Sequence, residues 1–400
     1  MRELVLSLTA VGGLLAGVPY ELAAALVMLL FGALVVFVFV LPVAGITSWV
    51  ERRVWARIQS RVGPNRVGPQ GFLQWLADGL KNLLKEDLIP AAADRPLFAL
   101  APYLVVAGFI ATFVAIPFGS RLIIADLDIG ILYITAVTGL VVVGVLMAGW
   151  ASNNKWSLLG GIRSAAQIVS YEIPAGLSVF PVVLLTGTLS TQGIIQAQGW
   201  QPWRWFLFAN PFTFAAFFVF FVAALAEGNR TPFDLPEAES ELVAGFCTEY
   251  SGMRYLLFFL AEWGNLYVIG ALVTTLFLGG WRVPHVTDHV VARTLLEFGV
   301  FFLKAYFFVF IAMWVRATLP RVRVDQLTAL CWKYLVPIAL VNLVGTALWM
   351  TLVPAAAHRP VAIAMTLAGA GIVVLFLARV RHHLRHARLQ PSDYYLSPII

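Results

Sequence analysis

"ILYITAVTGLVVVGVLMAGW", residues 131–150, runs for twenty positions without a charged side chain. A helix rises ~1.5 Å per residue, so ~20 apolar residues cross a hydrocarbon core about 30 Å thick. Transmembrane β-strands would instead be short, alternating segments. This stretch is continuously apolar, and in lipid only a helix or a closed barrel satisfies its backbone polar groups. The reading is a membrane-spanning helix.

The rest of the chain agrees with that stretch. Of its 400 residues, 60% are hydrophobic and 12% are charged, and the mean hydropathy is +0.85. A soluble domain carries about 25% charged residues. Nine spans are predicted, at about 22–47, 97–118, 131–150, 166–189, 205–226, 255–279, 295–315, 334–353 and 360–378. The expected fold is an all-α integral membrane protein, a helical bundle of eight core helices plus a ninth. Residues 1–18 are apolar but closed by Pro19, and read as an interfacial segment or an extension of the first helix. The expected organisation is an N-terminal segment 1–21, a membrane domain 22–353, and an extra span with a basic tail over 354–400. Cys247 and Cys331 are the two cysteines; they argue against a disulfide scaffold, iron–sulfur ligation or a metal site in this chain. No nucleotide-binding motif is visible.

Lysine and arginine orient the chain. The loops 51–96, 151–170, 227–255 and 316–333 and the tail 379–400 hold 20 of the 27 basic residues, against 6 on the other side. By the positive-inside rule the first set is cytoplasmic and the N-terminus extracytoplasmic, in a multi-pass protein of the cell membrane. The net charge of +6 is thus a topology signal, and nucleic acid is not an expected partner.

One cytoplasmic loop breaks the pattern. "TPFDLPEAESELVAGFCTEY", residues 231–250, together with Glu227 just before it, carries Asp234, Glu237, Glu239, Glu241 and Glu249. A solvated loop with a helix start is the plain reading, Asp234 capping. But Phe233, Leu235, Leu242, Val243 and Phe246 are interleaved with the acids, which suits a loop pressed into apolar surroundings. Carboxylates there have raised pKa values and handle protons near neutral pH. Glu172, before Pro174, and Glu262 lie inside spans, where a charge costs about 2.5–3.5 kcal/mol, so each is a functional candidate. Lys304 is the one base inside a span, expected to pair with an in-membrane acid such as Glu297 or to reach one of the others. His285 and His289 around Asp288 read as solvated loop.

Residues 51–87 form the second dense region. Gly63-Pro64 and Gly68-Pro69 mark turns. Phe72, Leu73, Leu76, Leu80, Leu83 and Leu84 then recur at helical spacing. An amphipathic helix along the cytoplasmic interface is expected, with lipid contact through Arg52, Arg53, Arg57, Arg61 and Arg66.

"PFDLPEAESELVAG" (232–245), "GFLQWLADGLK" (71–81), "ERR…GPNRVGP" and "GWASNNKWSLLGGIRSAAQIVSYEIP" resemble the H-subunit family of the bacterial proton-pumping NADH:quinone oxidoreductases, respiratory complex I. The resemblance covers about residues 22–353. It implies eight core helices, so the ninth span is a departure. Span three also lacks the acid that some relatives carry there. The resemblance further implies a quinone chamber, with Glu51, Arg52 and Arg53 beside the quinone passage and Asp78 and Lys81 near it. It places Glu172, Glu227, Glu237, Glu239, Glu241 and Glu262, with the acidic loop and its Asp234, in a relay coupling quinone reduction to proton movement. Quinone is the implied substrate. FMN and iron–sulfur clusters are implied in partner subunits of the peripheral arm, alongside small membrane subunits, antiporter-like subunits and lipids. On this reading quinone enters between the first helix, span six and the amphipathic helix, and the chain has no catalytic residue of its own. Two alternatives stand beside it: the same module in a membrane-bound hydrogenase or related dehydrogenase, and a stand-alone proton-coupled transporter. The transporter would show inverted repeats, which this sequence does not.

Overall fold

A computed structural model of the chain describes residues 30–386 apart from 31, 35, 237–238 and 285–288. The expected segment 1–21, His285 and Asp288 lie outside the described residues, as does the end of the tail. Among the described residues there are no strands.

The helices are α1 (Leu41–Ile58), α2 (Gln74–Leu84), α3 (Arg95–Thr112), α4 (Gly130–Ala151), α5 (Lys155–Thr186), α6 (Thr191–Ala197), α7 (Pro211–Glu227) and α8 (Gly252–Phe277). They are followed by α9 (Val290–Thr318), α10 (Val324–Leu352) and α11 (Ala355–His386). A π-helical turn, Val36–Val40, leads into α1, and a second, Leu330–Leu335, interrupts α10. Eight of these are long and apolar enough to cross a membrane, and α7, at 17 residues, is a shorter ninth. α7 opens on a capping box between Asn210 and Thr213, with Pro211 in its first turn, where its missing N–H costs nothing.

Several boundaries differ from expectation, those of the first, fourth and eighth spans most, the eighth beginning at Val324 and not near residue 334. The first span does not stop near residue 47 but runs to Ile58, which puts Glu51, Arg52 and Arg53 on helix. Their long side chains reach sideways to partners, Glu51 and Arg52 to ion pairs and Arg53 to Gln70, so the charges do not end the helix. The fourth span begins at Lys155 instead of 166, because the Asn154 side chain accepts from the Trp156 N–H and caps it there. Its prolines, Pro174 and Pro181, lie within a continuous helix.

Small residues set the closest contacts, as they do where lipid supplies no hydrophobic drive between helices. A Cβ added to Gly270 of α8 would lie 2.4 Å from the Ala305 carbonyl oxygen of α9, and one on Gly149 of α4 would lie 2.7 Å from that of Ser157. Rings fill the space between α1, the end of α3, α8 and α9, with Phe39 edge-on to Tyr267 at 5.6 Å and Phe302 against Tyr306 at 4.5 Å. Outward-facing Leu100, Leu303, Phe307 and Val341 are exposed, as lipid-facing side chains are. α11 is the least buried of the candidate spans, only 6% of its apolar window being buried.

α2 lies across α1 and α8. Trp75 sits on the bare backbone of Gly45, and Trp49 meets Phe72 edge-on at 5.4 Å. Beyond its other end, Arg254 pairs with Asp87 at 3.2 Å and the Leu88 N–H donates to Ser251 Oγ at 3.0 Å. Leu76, Leu80, Leu83 and Leu84 stay exposed. That is the amphipathic helix the spacing predicted, held at the rim of the bundle.

Candidate functional site

The loop between α7 and α8 turns back into the bundle. Gln167 of α5 holds it, its Nε2 donating to the carbonyls of Ala226 (2.8 Å) and Phe233 (2.7 Å) and to Asn229 Oδ1 (3.2 Å). Phe233 and Leu235 are buried. The apolar residues among the acids are therefore what seat the loop, and they bring Arg230 and Asp234 inside. Arg230 is 1% exposed.

Arg230 bridges two carboxylates. Its Nη1 lies 3.1 Å from Glu51 Oε1 on α1 and 3.2 Å from Glu262 Oε1 on α8. Arg316, at the end of α9, closes on Glu51 as well, with its guanidinium 4.6 Å from the Trp55 ring centroid. Trp263 Nε1 donates to Glu51 Oε2 at 2.9 Å. Next to this group, Arg321 pairs with Asp234 at 3.2 Å. Burial pushes the Asp234 carboxyl above its ordinary value, against the opposing pull of Arg321, Arg316 and Arg230. Three acids and three arginines thus form one compensated cluster. Buried charges of this kind persist only when paired and hydrogen-bonded.

Beyond Glu262 the compensation stops. A cavity of about 60 Å³ is lined by Glu262, Glu227, Asn229, Asn265 and Thr138. A second, of about 50 Å³, is lined by Glu227, Glu172, Thr138 and Asn265. Glu227 belongs to both. Volumes of this size with several polar walls suffice for a few waters. Neither Glu227 nor Glu172 has an ion-pair partner among the described residues. The acids thus follow one another through the membrane part of the bundle, from Glu51 through Glu262 and Glu227 to Glu172.

A protein-family model described as NADH dehydrogenase matches residues 31–347. The NADH-quinone oxidoreductase H-subunit of Anaeromyxobacter dehalogenans is 57% identical over 344 residues, 82% of this chain and 81% of that protein. The H-subunit of Dehalococcoides mccartyi is 49% identical, over 82% of this chain and 88% of its own length, and that of Chlorobium luteolum 47%, over 76% and 84%. The chain belongs to this family. As a member of the H-subunit family it is a multi-pass membrane component of an oxidoreductase enzyme complex.

Several of the residues expected from the family resemblance are brought together. Arg52 pairs with Asp78 of α2 at 2.6 Å and lies 5.8 Å from the Trp263 ring, whose nitrogen holds Glu51. Arg53 turns to Gln70, at 2.8 Å, and to the Trp49 ring. Glu51, Glu262 and Asp234 are in the ion-pair cluster, and Glu227 and Glu172 on the cavities. Others stand apart. Lys81 is exposed. Glu241 is 53% exposed and pairs with Arg163 at 2.6 Å. Glu237 and the side chain of Glu239 lie outside the described residues. Asp234 caps no helix, its carboxylate being taken by Arg321. Lys304 pairs with none of the in-membrane acids among the described residues, Glu297 included: its Nζ donates to the carbonyls of Leu278 (2.8 Å) and Gly280 (3.0 Å) past the end of α8, where a cation suits the helix dipole. Glu297 instead takes Arg293, one turn away, and Ser120. Sequence reasoning also gave no role to Arg230, Arg316, Arg321 or Gln167. The signal present was an arginine inside the acid-and-apolar loop.

Proposed function

We propose that this chain forms the quinone chamber of an NADH:quinone oxidoreductase and relays the electrostatic consequence of quinone reduction into the membrane. The observation that carries this reading is the single guanidinium of Arg230 shared by Glu51 and Glu262. Glu51 stands on the helix that would flank the quinone passage, beside the Arg52–Asp78 pair and Trp263. Glu262 opens the line of cavity acids. A change of charge near Glu51 alters how strongly Arg230 holds Glu262, and so Glu262's readiness to take a proton. Glu227 and Glu172, without cations of their own, are the next acids able to respond. Quinone approaches from the bilayer past α1, α2 and α8, and its electrons come from a redox subunit outside this chain. The basic loops face the cytoplasm, where that subunit docks.

Glu262→Gln tests this. It keeps size and hydrogen bonding and removes the titrating group. In the assembled complex, quinone-dependent NADH oxidation and proton pumping should fall together, while NADH reduction of an artificial acceptor by the flavin subunit is kept. An assembled variant that pumps at the parent rate sinks the relay.

A further inference from the structure

At the end of the bundle away from the Glu51 cluster, an open cavity of about 490 Å³ lies between the α6–α7 connection, the segment after α8, and the turn from α10 into α11. Arg204, Arg282, Arg359 and His358 line it, with Trp205 and Trp349 as aromatic wall, and no carboxylate does. None of the three arginines has an ion-pair partner among the described residues.

Two of these cations and the histidine are positioned by the fold. Arg282 is pinned by backbone, its Nη2 donating to the Gln196 carbonyl at 2.6 Å. The stem of Arg204 lies over Gly199, where an added Cβ would meet Arg204 Cδ at 2.4 Å. His358 stacks on Trp349 at 6.3 Å and its Nε2 sits 3.2 Å from the Val353 carbonyl oxygen. Lys304 adds positive charge behind the wall, 4.9 Å from the Trp205 centroid. α11 is drawn in by Gly369, which approaches Phe208 closely enough that a Cβ would lie 3.0 Å from its ring. So the extra helix supplies Arg359 and His358 to a cavity that the eight-helix bundle alone would leave with two arginines.

We infer that this cavity binds the headgroup of an anionic phospholipid from the leaflet opposite the Glu51 cluster. Guanidinium groups bind phosphate in a bidentate way, and tryptophan belongs at the headgroup level. Lipid rather than free phosphate is favoured by what surrounds the cavity. Leu352 at the end of α10 is 75% exposed and Leu367 of α11 67%, an apolar surface for acyl chains running from the charged mouth into the membrane. Three guanidinium groups with no acid among them match a phosphate that brings its own apolar tail.

The assembled complex, in membranes of phosphatidylcholine, is exposed to a photoactivatable phosphatidylglycerol or to the equivalent phosphatidylcholine probe. Labelled peptides are then mapped by mass spectrometry. The anionic probe should label the 349–362 segment in strong preference to the neutral one. Arg204→Gln with Arg359→Gln should cut that labelling by about fivefold for each arginine removed. Arg204→Lys with Arg359→Lys, which keeps the charge but not the bidentate fork, should retain more of it than the Gln pair and guards against loss by misfolding. Equal labelling by both probes means ordinary contact with bulk lipid and overturns the inference. Displacement of the anionic probe by millimolar inorganic phosphate makes this a soluble-anion site and equally overturns it.

Discussion

Removing Arg230 should expose how the two ends of the cluster depend on each other. Glu51 would keep Arg316 and the Trp263 N–H, so it stays compensated. Glu262 would lose its one ion-pair partner among the described residues, with only 13% of its side chain accessible. Breaking a buried pair by deleting one partner costs ~3–5 kcal/mol, because a charge is left behind. In Arg230→Met that cost falls on Glu262. Adding Glu262→Gln removes the stranded charge, so the double variant should recover roughly 0.5–3 kcal/mol relative to the single one, the range of coupling expected between contacting residues. The measurement is the fraction of chain assembled on blue-native gels, together with the heat-inactivation half-life of the assembled complex. Arg230→Met should assemble poorly and inactivate early, and Arg230→Met with Glu262→Gln should do better on both counts. If the single variant is as stable as the parent, or the double loses the sum of its parts, the shared guanidinium is not what couples the two acids.

Arg52→Ala breaks a part-exposed ion pair worth ~1 kcal/mol or less, so assembly should survive while quinone-dependent NADH oxidation falls and artificial-acceptor reduction does not; equal loss of both activities would mean failed assembly instead. Glu227→Gln should depress pumping strongly in vesicles energised with NADH, whereas Glu241→Gln, on a half-exposed carboxylate paired with Arg163, should change it little, and the reverse order would move the relay into the loop. Burial raises the Asp234 carboxyl above its ordinary value, so the folded state binds that proton more tightly than the unfolded chain does. Its contribution to stability is then full below the ordinary aspartate range and lost as pH rises through the raised value. Heat-inactivation half-lives of Asp234→Asn across that window should depend less on pH than those of the parent, and an unchanged slope would contradict the assignment.

Much of the fold is legible because a bilayer imposes one rule on every segment: apolar runs of sufficient length become helices. That rule finds the spans but not their ends, since α1 continues through Glu51, Arg52 and Arg53 once their charges have partners. The acids at the site are legible for a related reason, each being costly where it stands. Their partners are not. Arg230 reaches Glu51 across 179 positions of chain, and Arg316 reaches the same carboxylate across 265. Nothing local to an arginine at the end of an apolar run says which acid it will meet. Lys304 shows the same limit from the other side: a nearby acid was available in sequence, but the free carbonyls past α8 were nearer in space.

The distribution of compensation along the acids bears on how such a relay could work. Glu51 is over-provided, with two arginines and an indole N–H. Glu262 has one shared guanidinium, and Glu227 and Glu172 have polar cavity walls in place of cations. A fully compensated line would be stiff, because no proton could enter without leaving an arginine stranded. A wholly uncompensated one would carry protons throughout and pass no signal. The chain grades between the two, and the grade changes at Arg230. That residue is held by a loop whose seating depends on Gln167 and on the apolar side chains of Phe233 and Leu235. In the proposed relay, a shift of this loop would change the charge balance at Glu262. The acidic stretch is apolar in part, which lets Phe233 and Leu235 seat it, and that seating sets one arginine between Glu51 and Glu262.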